Sequence, residues 1–103
     1  MILFHGTSVD VLPDLLEEGV LAPSYWGTYQ QALERSLGFG KQGIVIRAHI
    51  DRNDLSASML MVNALYESGD IEDYPDEDDL EFSLEWLGGV TCYDVITEFE
   101  VLR

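Results

Sequence analysis

The sequence predicts an α+β domain, with elements in the order β-α-(loop)-α-β-α-β-β and the helices segregated from the strands. Three observations carry this. Apolar or β-branched runs stand at the start ("ILF"), the centre ("GIVIRAHID") and the end ("GGVTCYDVITEFEVLR") of the chain. Between them lie segments in which apolar residues recur at helical spacing. The 103 residues contain no internal repeat and no linker long enough to divide them, which predicts one domain over 1–103.

Ile2 to Phe4 reads as a short buried strand. "SVDVLPDLLEEGVLAP" carries a helix through Val11, Leu12, Leu15 and Leu16, with Ser8 or Asp10 as cap, Pro13 in the first turn and Gly19 as the stop. "APSYWG" is an aromatic loop or short strand. "TYQQALERSLGFG" is a second helix, because Thr28 and Gln31 have capping-box spacing and Gly38 or Gly40 ends it. Gly43 to Asp51 is the strongest strand signal in the chain. "SASMLMVNALYESG" suits a short helix covered on most sides, and an acidic, solvated loop or lid is expected at about 69–81. The last segment closes the domain as two strands or one bent strand, with Val90, Cys92, Ile96, Phe99 and Val101 giving the alternation.

The formal net charge is −15, and it is unevenly spread. Residues 1–52 hold six acids and four bases, whereas residues 53–103 hold fourteen acids and one base, Arg103. A field of that sign repels nucleic-acid backbones and anionic membranes and attracts basic protein surfaces. Direct nucleic-acid binding and membrane binding are therefore not expected. A partner whose groove normally holds phosphates is compatible with such a chain. The single cysteine, Cys92, forbids an internal disulfide. With no basic region and long apolar run at the start, and no stretch of membrane-spanning length, the expectation is a soluble cytoplasmic protein.

Chemistry is concentrated in His5-Gly6-Thr7. A strand-end histidine offers one ring nitrogen as donor and one as acceptor, glycine lets a ligand approach the backbone, and the Thr-Ser hydroxyls begin a helix whose N-terminus favours anions. Taken alone, such a corner is more often a structural strand end than a site. Other candidates read as structural. His49 on the central strand is exposed or structural, Cys92 is a buried thiol, and Trp26 and Trp86 are core or pocket wall. Asp76 to Asp79 lacks the spacing of a calcium loop, so no metal site is expected.

The ordered set "LFHGTS", "LLEEGVLAP", "SYWGTYQQALERS" and "IVIRAHID", covering roughly residues 2–55, resembles the ADP-ribosyltransferase superfamily of the histidine–tyrosine–glutamate class. The resemblance implies a compact split β-sandwich with flanking helices and an NAD cleft between two small sheets. It implies that His5 holds an NAD ribose hydroxyl, that the Gly6 backbone grips the nicotinamide carboxamide, and that Tyr25 stacks on the nicotinamide. Tyr29, in the first helical turn, is the lesser candidate for the stack. Thr7 and Thr28 complete the cofactor set, with Thr28 capping the helix. Arg35, Lys41, Arg47 and Arg52 are the bases open to the pyrophosphate, or are solvated side chains, and Arg35 is placed in the NAD set.

Cleaving the nicotinamide–ribose bond passes through an oxocarbenium-like species, which needs a held leaving group and a nearby carboxylate. With His5, the catalytic candidates are Glu85, ahead of the late strand, and Glu100, which shares a strand face with Glu98; Glu85 is favoured. In an alignment that favours "SLE", Glu98 is bland.

The implied function is mono-ADP-ribosyl transfer from NAD to a macromolecular, protein target that is basic or binds nucleic acid. The small size resembles bacterial toxins and phage counter-defence effectors. The alternative is a catalytically degenerate acidic binder that mimics DNA charge and blocks a nucleic-acid-binding complex, in the manner of anti-CRISPR proteins. An acidic domain that merely begins with His-Gly-Thr is the third reading.

Overall fold

In the computed structural model, which describes residues 1–57, 59–72, 76 and 78–102 (and of residues 59–62 the backbone alone), the strands form one antiparallel sheet of six. The strands are β1 (Ile2–Ser8), β2 (Ser24–Gly27), β3 (Gly43–His49), β4 (Leu55–Ala57), β5 (Gly89–Cys92) and β6 (Glu100–Leu102), in the order β4-β5-β2-β1-β3-β6. The α+β class is as the sequence predicts. The two separate sheets implied by the resemblance are not formed, because one pair, Phe4 opposite Gly27, joins β1 to β2 and makes the sheet continuous.

Helix α1 (Leu12–Glu18) follows a 3-10 turn at Val9–Val11, whose cap is Ser8. Pro13 sits in its first turn, and Gly19 ends it at φ 80°, a conformation that favours glycine. Helix α2 (Tyr29–Leu37) begins at Thr28, whose hydroxyl accepts from the Gln31 amide at 3.2 Å. Only half of the expected capping box forms. The Thr28 N–H goes instead to the Gly88 carbonyl at 3.3 Å, which leaves the Gln31 side chain to lie against Gly88.

Helix α3 (Met59–Ser68) matches the predicted apolar helix. Four elements depart from expectation. β1 runs on from Phe4 to Ser8, so His5 lies within the strand rather than at its end. β4 precedes α3, too short to show an alternation in the sequence. The acidic stretch expected as a loop to residue 81 ends earlier, because Asp79 caps helix α4 (Leu80–Phe82), which widens into a π-helical turn at Ser83–Leu87. Ile71, inside that stretch, is buried, and residues 73–75 and 77 lie outside the described residues. β3 stops at His49, two residues short of the predicted end.

The core covers the face of the sheet that carries Leu3, Ile44, Ile46 and Ala48, and it includes Trp26, Val90, Cys92 and Leu80. Leu12 and Leu15 of α1 pack against it, and Val20 and Ile96 close it through a two-hydrogen-bond bridge of 2.8 and 3.0 Å. On the opposite face α2 lies directly on the sheet. A Cβ on Gly6 would overlap the Ala32 carbonyl oxygen, and one on Gly43 would overlap that of Ser36. Both glycines are therefore required by close helix–sheet contact. No helix among the described residues is long and apolar enough to cross a membrane.

Candidate functional site

Hydrogen-bond alternation shows which way each residue of β1 points. The Ile50 amide bonds the Met1 carbonyl at 2.8 Å, and Ile2 stands opposite His49. Residues 1, 3, 5 and 7 therefore aim their backbone polar groups at β3, and residues 2, 4, 6 and 8 aim theirs at β2. The bond from Thr28 to Gly88 gives the same answer from the other side, since it turns Gly27 and Tyr25 toward β1. Beyond the pair Phe4–Gly27, the next ladder bond would join the Gly6 amide to the Tyr25 carbonyl.

That bond is replaced. His5 Nδ1–H donates to the Tyr25 carbonyl at 2.6 Å, so the imidazole takes the place of the Gly6 amide. The sheet parts there, and the Gly6 N–H and C=O face the gap. Because the Nδ1 partner is a carbonyl, the neutral ring keeps Nε2 as an acceptor. Burial pushes the His5 pKa below its ordinary value; the Tyr25 carbonyl opposes that shift, and the Arg35 charge adds to it. The ring is tilted against Trp26 at 5.4 Å between centroids.

Tyr25 stands on the α2 side of the sheet. Its hydroxyl donates to the Leu87 carbonyl at 3.1 Å, and the Arg35 guanidinium carbon lies 5.7 Å from the ring centroid. Burial raises the Tyr25 pKa, against the lowering pull of Arg35. Gly89 carries no side chain because any Cβ would strike the Tyr25 ring. Phe4, His5, Gly6, Tyr25, Gln31 and Arg35 line a cleft of about 10 Å³, room for about one water.

The structure thus brings His5, Gly6, Tyr25 and Arg35 together, with Thr28 capping the helix that carries Arg35. Thr7 is not on that cleft; it stands opposite Ile44 on the core side of the sheet, from which His5 alone reaches the gap, through its ring bond to the Tyr25 carbonyl. Glu85 is exposed on the π-helical turn, two residues from the Leu87 carbonyl that anchors Tyr25. Glu100 is elsewhere: it lies on β6, beyond β3, and pairs with Arg47.

Arg52 is bidentate to Glu81 at 2.6 and 2.8 Å, and Lys41 is exposed in the turn after α2. Of the four bases expected near a pyrophosphate, Arg35 alone borders the cleft. Gln31 and the Leu87 carbonyl were not anticipated. The first could have been found from its place in the capping box, whereas a backbone carbonyl leaves no trace in sequence.

Trp86, expected as core or pocket wall, lies instead on the surface of the π-helical turn, whereas the structural readings of His49, Trp26 and Cys92 agree with the fold. His49 is exposed, Trp26 and Cys92 are buried, and burial raises the Cys92 pKa. Trp86 is 59% exposed and stacks on Phe82 at 6.0 Å. No group of three metal-ligating side chains occurs among the described residues. No protein-family model matches the chain, and no curated protein or solved structure is found to be similar to it.

Proposed function

We propose that the chain is an ADP-ribosyltransferase-like domain that holds the nicotinamide end of NAD where β1 and β2 part. One observation carries the reading: His5 displaces a ladder bond and so turns the Gly6 amide and carbonyl into the gap beside Tyr25. An amide and a carbonyl on one residue match the acceptor and donor of a carboxamide, and Tyr25 supplies a flat partner for the ring. His5 Nε2 is an acceptor for a ribose hydroxyl.

A cleft of about 10 Å³ does not admit a nicotinamide, so entry requires Arg35 to leave the Tyr25 ring. Once displaced, its guanidinium is suited to a phosphate. Transfer would break the ribose–nicotinamide bond and form a bond from the ribose carbon to an acceptor atom, which loses its proton. Glu85, on the turn that Tyr25 anchors, is the better placed of the two expected carboxylates.

The test combines NAD-dependent stabilisation with transfer of label from NAD to protein in a bacterial lysate. NAD at ten times its Kd stabilises by about 1.4 kcal/mol, which raises Tm by roughly 6–10 °C in a domain of this size. His5→Ala and Tyr25→Ala should abolish both responses, whereas Glu85→Gln should lose transfer and keep the shift. Neither shift nor label in the wild-type protein refutes the reading.

A second reading is favoured by the cleft lining itself, which contains no carboxylate among the described residues. In it the domain is an acidic binder that occupies the basic, nucleic-acid-binding groove of a protein. It predicts NAD-independent, salt-sensitive inhibition of such a partner that survives His5→Ala.

A further inference from the structure

The second face of the leaf β1-β3-β6 is only half covered. α2 lies over the end marked by Gly6 and Gly43, and it leaves the other end open. There Ile2, Arg47, His49, Glu98, Phe99 and Glu100 border a groove of about 520 Å³. Strand alternation puts Arg47, His49, Glu100 and Ile2 on this face, and the register of β3 with β6 brings residue 98 opposite His49.

The charges in the groove are not equivalent. Arg47 is neutralised by Glu100, whereas the exposed Glu98 carboxylate has no ion-pair or hydrogen-bond partner among the described residues. The surrounding field is that of a chain with net charge −15. A cationic side chain is therefore favoured at Glu98, with its aliphatic stem along Ile2.

Among the described residues, the backbone beside the groove also has no strand on its outer side. Ile50 bonds Met1, so Ile46 and Ala48 face β1 and Val45 and Arg47 face β6. Arg47 stands opposite Glu100 and Val45 opposite Leu102, so Glu100 and Leu102 bond back to β3. Val101 then points its N–H and C=O outward, at the end of the sheet order, where β6 is an edge strand. An extended segment added there gains main-chain hydrogen bonds and sends alternate side chains into the groove.

We infer that the β6 edge and the groove beside it dock an extended basic segment of a partner protein, which adds as a seventh strand and places a lysine or arginine on Glu98. A second copy of this chain is disfavoured as occupant, because it would bring −15 against −15. The inference does not depend on the NAD reading.

The test uses the full chain and a capped peptide of alternating lysine and valine, with an alternating glutamate–valine peptide as control. Binding is followed by fluorescence anisotropy and amide chemical shifts, and each variant is checked by circular dichroism. The lysine peptide should bind and the glutamate peptide should not, with shifts on β6 and β3. Glu98→Lys should weaken binding about tenfold, against less than about twofold for Asp78→Lys, an equal charge change outside the groove. Val101→Pro removes an outward N–H while sparing the ladder to β3, and should weaken binding comparably.

Equal losses for the two charge reversals overturn the inference, since the field alone would then be responsible. Undiminished binding by Val101→Pro overturns it as well. So does sedimentation of the chain as a dimer with β6 at its interface, which would make the occupant a second copy.

Discussion

Strand β1 has two neighbours and treats them differently. Toward β3 it is paired along its whole length, from Ile2–His49 to Ser8–Gly43. Toward β2 it makes the single pair Phe4–Gly27. The first seam is built of Leu3, Ile44, Ile46 and Ala48, whose side chains fill the core and fix the register. The second is interrupted by one imidazole that bonds a carbonyl the backbone would otherwise have used. One polar side chain thus turns a continuous seam into a partly open one, and it does so where the sequence places His-Gly-Thr and the first tyrosine of "SYWGTY".

β2 is paired along its whole length with β5 but at one position only with β1. Its hold on the β1 side therefore rests on its core side chain, and the largest effect should come from Trp26→Ala. That change empties a fully buried site and should cost about 3–5 kcal/mol in denaturant unfolding. A loss no greater than that of an exposed residue would show that β2 is held in another way.

Next is Gly6→Ala. Its methyl meets the Ala32 carbonyl oxygen, so α2 must move off β1, at a cost of about 1–3 kcal/mol. Unchanged stability would mean that α2 does not press on the sheet there. Thr28→Ala, which removes the cap of the same helix, should cost about 1 kcal/mol by the same assay.

The smallest effect sharpens the role of the imidazole. The folded His5 has a pKa below its ordinary 6.5, so the unfolded chain takes up a proton that the folded one rejects. That difference destabilises the fold as pH falls through 6.5 toward the lowered value, and it vanishes above. In Tm measured between about pH 5 and 7.5, His5→Gln should flatten part of the slope, with little change at the upper end. An identical slope in the variant would remove His5 from the account of the seam.

Much of the frame was legible in the sequence because its signals are local. Thr28, Gly19 and Pro13 announce helix boundaries through backbone geometry alone, and "GIVIRAH" announces the central strand through its β-branched run. The acidic stretch misled, since Asp79 reads as solvated charge but acts as a helix cap, and β4 is too short to show a period. The site was half legible. His5, Gly6 and Tyr25 were found from the order of short motifs, yet the reason they meet is a hydrogen bond to a backbone carbonyl, which no residue type encodes. The long-range charge pattern was legible as a sum but not as pairs. Arg47 and Arg52 face Glu100 and Glu81 across the fold, so two bases counted toward a pyrophosphate are occupied by acids from the other half.

The account turns on the Gly6 amide, which should have no partner on β2 and should be the group a nicotinamide carboxamide finds. Amide-resolved spectra of the 15N-labelled protein, recorded with increasing NAD, read this directly. The account predicts that the Gly6 resonance exchanges faster than those of Leu3, His5 and Thr7 in the free protein, then shifts and becomes protected as NAD is added, with Arg35 moving alongside. A Gly6 amide that is already protected, or one that stays unmoved at millimolar NAD, would contradict it.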